Sequence, residues 1–225
     1  MRRDWDRRAL ENARHYVATG QEEWSDEDFF AAGEQELREQ ILSDLGNICQ
    51  GRDPKSMKVL EVGCGAGRVT RPLAHFFGEV CAVDISSHMV RQARRAVADL
   101  DNVEIFCNNG CDLSAVRHRW WHRFGIGGKL EFDFVFSCLV FQHIRSREVI
   151  ASYVSEVNRI LKPGALFKFQ VQGSSDAQPN QDDTWVGWAF SPEDARKLAQ
   201  ENGFELRYES GAGTQYYWLW FFKKG

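Results

Sequence analysis

The sequence predicts an α/β protein built on a doubly wound, mostly parallel sheet. Short apolar runs alternate with amphipathic segments along most of the chain, the pattern left by successive βαβ crossovers. The first run, Val59-Leu60-Glu61-Val62, breaks into Gly63-Cys64-Gly65-Ala66-Gly67. Glycines at alternating positions let a chain turn sharply off a strand tip and lay bare backbone against a ligand. The next run, Cys81-Ala82-Val83, ends in Asp84. That carboxylate stands about 20 residues beyond the first glycine, where the second strand of a βαβ unit meets a ribose.

Residues 4–18 and 34–50 read as helices, the second from Leu37, Ile41, Leu42 and Leu45 at a spacing near 3.6. Between them, Trp24-Ser25-Asp26-Glu27-Asp28-Phe29-Phe30 combines a helix start with exposed aromatics. Gly51-Arg52-Asp53-Pro54 separates this N-terminal helical cap, residues 1–52, from a domain over 53–225. Strands are expected at Lys58–Val62, Val80–Asp84, Val103–Cys107, Phe132–Cys138 and Ala165–Val171, and helices at Arg68–Phe77, Ser87–Leu100 and Arg147–Leu161. Lys162-Pro163-Gly164 reads as the stop between a helix and the next strand. Ser191-Pro192-Glu193-Asp194 is a capping box that opens a helix ending at Asn202-Gly203. The runs Phe204–Glu209 and Gln215–Phe222 are joined by a loop too short for a parallel return, so one antiparallel strand is expected.

A chain of 225 residues suffices for one α/β domain with a sizeable core. Its net charge of −4 argues against a global polyanion partner such as nucleic acid. No apolar run approaches the roughly 18–20 residues that span a membrane. The start, Met1-Arg2-Arg3-Asp4-Trp5-Asp6, lacks the apolar core of a secretory signal. Cys49, Cys64, Cys81, Cys107, Cys111 and Cys138 lie mostly in or beside apolar runs and read as small buried residues in a reducing cytoplasm.

These motifs closely resemble the class I S-adenosylmethionine-dependent methyltransferases, from about residue 57 to 223. Glu61-Val62-Gly63-Cys64-Gly65-Ala66-Gly67 is similar to the family's first motif, GxGxG rather than the GxGxxG of nicotinamide enzymes. Val83-Asp84-Ile85-Ser86 with Met89 resembles the second. Phe132-Asp133-Phe134-Val135-Phe136-Ser137 followed by Phe141-Gln142-His143-Ile144 resembles the fourth-strand motif. Leu161-Lys162-Pro163-Gly164 resembles the turn before strand five, with Ala165 where a second glycine is common.

The resemblance implies a Rossmann-like, seven-stranded sheet with an antiparallel terminal strand, and S-adenosyl-L-methionine as cofactor. It places Gly63, Gly65 and Gly67, with Cys64 between them, under the methionine portion. Glu61 would point toward the cofactor's amino group, and Asp84 would accept from both ribose hydroxyls. Ile85 and Met89 would lie against the adenine, and Gly110, Cys111 or Asp112 would meet its edge. The family's glycine-aspartate-alanine pattern is stretched here to Asn109-Gly110-Cys111-Asp112. Ser137 and Cys138 would lie near the sulfonium. His143, just after strand four, is the candidate catalytic base, with packing behind the site as the competing role.

Cys107, Cys111, His118 and His122 lack the tight spacing of a zinc site, and no metal is expected. Arg117-His118-Arg119-Trp120-Trp121-His122-Arg123 could suit single-stranded nucleic acid, but reads more simply as an amphipathic helix. Trp24 and Phe30 in the cap, Phe141, and Trp185 and Trp188 after the polar stretch 172–183 are candidate substrate contacts. The expected function is methyl transfer to an oxygen, nitrogen or carbon nucleophile of a small-molecule acceptor. The alternative is a non-catalytic S-adenosylmethionine-binding regulator.

Overall fold

The computed structural model describes residues 1–116, 130–174 and 184–225. Seven strands form one sheet in the order β3-β2-β1-β4-β5-β7-β6. Contacts divide the chain into two compact units, Arg2–Asn108 and, with Met1, Asn109–Gly225. The N-terminal helical segment lies within the first of these units. Among the described residues, no helix is long and apolar enough to cross a membrane.

In the first unit, helix α1 (Arg2–Val17) is interrupted at Asn12, whose φ of −165° and ψ of 86° are extended. The Asn12 side chain accepts from the His15 amide at 3.2 Å and donates to the Glu22 carbonyl at 2.7 Å. It therefore caps a second half-helix. Helix α2 (Asp26–Gln40) starts at Ser25, whose hydroxyl accepts from the Asp28 amide at 3.0 Å. The helix expected over 34–50 thus begins earlier and breaks after Gln40. A 3-10 turn (Leu42–Asp44) and short helix α3 (Leu45–Cys49) follow. The Ser43 hydroxyl donates to the Glu39 carbonyl and so competes with continued helical bonding. Leu42 is left exposed beside a fully buried Ile41. Phe29, expected as an exposed aromatic, is buried.

Strands β1 (Lys58–Val62), β2 (Glu79–Asp84) and β3 (Val103–Cys107) pair in parallel, with Val62 opposite Val83 and Asp84 opposite Cys107. Helices α4 (Thr70–Phe76) and α5 (Ser87–Ala96) make the crossovers. Both pack on β2, and they carry α2 and α1 respectively. The approach of α2 is very close: a Cβ on Gly33 would lie 1.9 Å from the Arg68 carbonyl oxygen.

In the second unit, β4 (Phe132–Ser137) pairs in parallel with β5 (Leu161–Val171). Helix α6 (Arg147–Ile160) leads into β5. The register jumps from Phe132↔Leu161 to Phe134↔Leu166. Lys162-Pro163-Gly164 is therefore a bulge inside the strand rather than a stop before it, with Gly164 at φ +76°. Helix α7 (Pro192–Glu201) has the expected capping box. Strands β6 (Phe204–Ser210) and β7 (Tyr217–Lys223) form the terminal hairpin, and β7 runs antiparallel to both neighbours. Rings of Phe141, Phe167, Phe169, Phe204 and Phe221 pack together as its core.

All six cysteines are free; Cys49, Cys64 and Cys81 are buried, Cys138 is half-buried, and Cys107 and Cys111 are exposed, contrary to expectation. Both exposed thiols lie at or beyond the end of edge strand β3, where no further strand covers them.

Gly33→Ala is expected to destabilise the protein by about 3 kcal/mol, since its methyl meets backbone that cannot move aside. Urea denaturation followed by far-ultraviolet circular dichroism checks this.

Candidate functional site

The sheet's carboxyl edge in the first unit is organised by one carboxylate. Asp84 ends β2, and its Oδ2 accepts from the Gly65 amide at 2.9 Å while Oδ1 accepts from the Ser86 amide at 2.8 Å. The amides of Gly63 and Cys64 both donate to the Val83 carbonyl, at 2.7 and 3.0 Å. Gly63, Gly65 and Gly67 have φ of +83°, +52° and +91°, which only glycine adopts readily. The glycine loop is thus stitched to the tip of β2 by its own backbone. Backbone N–H groups of Gly65, Ser86 and Ile85 act on this carboxylate, whose two oxygens offer about four acceptor positions, so capacity remains for a hydroxyl such as a ribose's.

Glu61 lies beneath the loop, 4% exposed, and accepts from the Thr70 hydroxyl at 2.6 Å. Burial pushes its carboxyl up to about 7, against the lowering effects of the Thr70 hydrogen bond and the Arg68 charge. Burial likewise lifts Asp84 to about 6, opposed by the amides of Ser86 and Gly65 and assisted by the charge of Asp6. Glu61 therefore braces the start of α4 from below.

Three expected cofactor contacts are turned elsewhere. Gly67 faces α5: a Cβ there would lie 3.1 Å from the Ala93 Cα, so its small size serves helix packing. The Cys64 thiol is buried with Ala82, Val90 and Ala93. Met89 is 1% exposed and packs with Ala9, Ala13, Phe29 and Ala66. Gly63 and Ile85 are half-buried at the loop, whereas Gly65 is buried under α1, since a Cβ on it would meet Val17 at 2.6 Å.

Helix α1 lies across this edge. Asp6 accepts from the Ser86 hydroxyl at 2.7 Å, Arg2 donates to the Asn108 carbonyl, and Gln92 donates to the Ala9 carbonyl at 3.3 Å. Trp24 and Phe30 are half-buried against the same cluster, and Trp24 donates to the Ala18 carbonyl at 2.9 Å. Phe30 also lines a cavity of about 320 Å³ with Arg14 and Gln92.

The second unit holds the remaining candidates. Asn109 accepts from the amides of Cys111 and Asp112 at 2.8 and 2.9 Å, a side-chain turn that sets Gly110 at φ +81°. Asp112 in turn accepts from the Ser114 amide at 2.8 Å. Ser137 is fully buried at the tip of β4 and Cys138 is half-buried. Leu139 follows at φ +58°, a strained position for leucine, and donates its amide to Gln170 Oε1 at 3.1 Å.

His143 belongs to this network. Its Nδ1 faces the Trp185 carbonyl, which can only accept, so Nδ1 carries the proton. Its Nε2 accepts from the Gln142 amide at 3.2 Å. Gln142 Oε1 accepts from Gln170 Nε2, which also donates to the Gln215 carbonyl at 3.2 Å. The ring, 6% exposed, also stacks on Trp185 at 5.1 Å. Gly187 donates to the Gln142 carbonyl at 2.6 Å and Trp188 to the Ile144 carbonyl at 2.9 Å. His143 is thus held at both nitrogens and fastens the segment 184–190. Trp185 and Trp188 remain 36% and 44% exposed. Phe141 is fully buried among Tyr153, Phe167 and Phe169, so it is a core residue and not a substrate contact.

The sequence reading assigned no role to Gln142 or Gln170; the hint was two polar residues, Lys168 and Gln170, inside the strand run Phe167-Lys168-Phe169-Gln170-Val171. His118, His122 and the tryptophans at 120 and 121 lie outside the described residues, as do residues 175–183. Among the described residues, no cluster of His, Cys, Asp and Glu could hold a metal ion.

Residues 59–164 match the family model described as a methyltransferase domain. The chain is 28% identical over 144 residues to malonyl-[acyl-carrier protein] O-methyltransferase of Enterobacter lignolyticus (strain SCF1), covering 64% of this chain and 50% of that protein. It is 23% identical over 218 residues to the mitochondrial ubiquinone biosynthesis O-methyltransferase of Rattus norvegicus, covering 82% and 55%. The chain thus spans about half the length of these relatives. Its fold is similar to magnesium protoporphyrin IX methyltransferase from Synechocystis PCC 6803 with bound SAM, with a TM-score of 0.65, 18% identity, and coverage of 99% and 95%.

The raised carboxyls set a pH dependence for the cofactor-free protein. Folding favours the protonated form of Glu61, so that contribution is present in full below about pH 4.5 and is lost as pH rises through about 7. Glu61→Gln keeps an acceptor for Thr70 and removes the charge. Urea midpoints measured from pH 5 to 8 are expected to fall less steeply in Glu61→Gln than in the wild type.

Proposed function

We propose that this chain, whose residues 59–164 form a methyltransferase domain on the fold of the S-adenosylmethionine-dependent class I enzymes, methylates an oxygen of a small organic acceptor. The observation that carries the reading is Asp84, oriented by two backbone amides beside a glycine loop in the left-handed region. The choice of oxygen rests on two curated relatives named O-methyltransferases, which match 64% and 82% of the chain, over a third named a tRNA/tmRNA (uracil-C(5))-methyltransferase, which matches 33% of it. Every protein described above is named as a methyltransferase, which favours an enzyme over a non-catalytic binder.

When bound, S-adenosylmethionine supplies an electrophilic methyl on a good leaving group. The chain's own task is then alignment, worth up to about 7–11 kcal/mol in well-oriented cases. Asp84 would hold the ribose hydroxyls, Gly63 and Gly65 would present backbone to the methionine end, and Ile85 would lie along the adenine. Asp6 and Arg2 from the first half of α1 and Val17 from its second half cover this edge, so cofactor entry requires both halves of α1 to move.

His143 acts as a positioning residue that fixes Trp185, and the exposed faces of Trp185 and Trp188 are offered as the acceptor's stacking surface. With both His143 nitrogens engaged, the acceptor best suited to this chain is an oxygen already ionised near neutral pH, a carboxylate or an acidic phenol.

Calorimetric titration with S-adenosylmethionine and S-adenosylhomocysteine tests the cofactor assignment. Asp84→Ala should weaken binding by about 2–3 kcal/mol, since it removes two hydrogen bonds to a charged group. Absence of binding by the wild type at about 50 μM of either ligand would overturn the reading. For His143→Asn, turnover should fall while the pH–rate profile keeps its shape; a general base would instead lose its limb of the profile.

A further inference from the structure

The outward face of α5 carries a concentration of positive charge that the proposed reaction does not use. Arg91, Arg94 and Arg95 are exposed at positions i, i+3 and i+4, which puts their side chains on one face. Together with Ser87 at the start of α5 and Cys107 at the end of β3, they line a groove of about 470 Å³. Arg94 is fixed in place, donating to the Ile105 carbonyl from Nε at 3.2 Å and from Nη2 at 2.7 Å. Three of its five N–H groups remain for another partner. Arg91 and Arg95 make no salt bridge among the described residues. Arg2 arrives from α1, bonded to the Asn108 carbonyl, and its charge reaches the Cys107 thiol along with that of Arg94.

Neighbouring carboxylates do not neutralise this group. Asp84 and Asp6 also act on Cys107, but Asp84 is buried under two backbone amides and Asp6 is bonded to the Ser86 hydroxyl. Asp99 forms a two-pronged pair with Arg71. Offsetting the dipole at the end of α5 accounts for Arg94 and Arg95 at about 0.3–1 kcal/mol each. It accounts neither for Arg91 in mid-helix nor for Arg2 from another helix, and it does not require a concavity.

We propose that this groove binds the phosphate group of a small phosphorylated molecule. Guanidinium forks of Arg91, Arg94 and Arg95 on one helix face match a tetrahedral anion, and planar bidentate pairing makes arginine the residue suited to it. The volume lies in the range of small-ligand pockets, about 300–1,000 Å³. A long polyanion is disfavoured by the chain's net charge of −4, which would repel it outside the groove. The groove adjoins the Asp84–Ser86 loop, because Cys107 Sγ donates to the Ile85 carbonyl at 3.5 Å. The proposal stands apart from the methyl-transfer reading, since Arg91, Arg94 and Arg95 serve neither the ribose nor the glycine loop.

Pyrophosphate is the probe. Titration into the full chain at low salt should show binding in the sub-millimolar range. The Arg91→Ala, Arg95→Ala double variant should bind at least tenfold more weakly, while its circular dichroism and S-adenosylhomocysteine affinity stay unchanged. Cys107 supplies a local readout: pyrophosphate should slow its labelling by a negatively charged aromatic disulfide reagent, with exposed Cys111 as the internal reference. No binding and no protection at 10 mM pyrophosphate overturns the site. Undiminished binding by the double variant also overturns it, because the anion then sits elsewhere. A short single-stranded RNA that binds while pyrophosphate does not would overturn the small-molecule assignment.

Discussion

The contact on which the cofactor edge depends is the clasp of Asp84 between the amides of Gly65 and Ser86. It joins the loop after β1 to the tip of β2, and does so with a charge that burial disfavours. A buried carboxylate is tolerated when donors are aimed at it, and here both donors are backbone. The loop cannot shift without leaving that carboxylate short of partners. The same constraint explains the glycines, because the amide of residue 65 reaches Asp84 only from a left-handed backbone.

A second constraint is closeness. Helix α2 reaches the Arg68 carbonyl only because residue 33 is glycine, and α5 reaches the loop only because residue 67 is. Helix α1 brings alanines, Ala9 and Ala13, to its contact with Ala66 and Met89. The first half of α1 is held by hydrogen bonds at Arg2, Asp6 and Ala9 and by Trp5 packed against the same cluster.

Strand positions and the parallel order were legible because each strand is a short apolar run bounded by turn residues, and such runs have few alternatives once helices of the right length lie between them. The capping box at Ser191 and the terminal hairpin were legible for the same local reason. Helix 34–50 was misread because Ser43 back-bonds to Glu39, an alternative that periodicity does not register. The bulge at Lys162-Pro163-Gly164 was misread as a boundary because proline and glycine mark irregular backbone without saying whether pairing resumes on both sides. In the candidate site, Asp84 was legible from its spacing, whereas His143 was identifiable only as an ionisable residue near a strand end.

By itself the sequence determined the sheet, the glycine loop and the carboxylate facing it, because these follow from residue spacing along neighbouring segments. Only the tertiary structure decided which glycines face helices, that Phe141 lies in the core, and that His143 is saturated by Gln142 and the Trp185 carbonyl. It also decided that three arginines of α5 share one groove with Cys107. Hydrogen-bond partners distant in sequence leave no periodic trace. A side chain's role is set by what the fold brings within about 3 Å of it, and one strand or helix does not encode that distance.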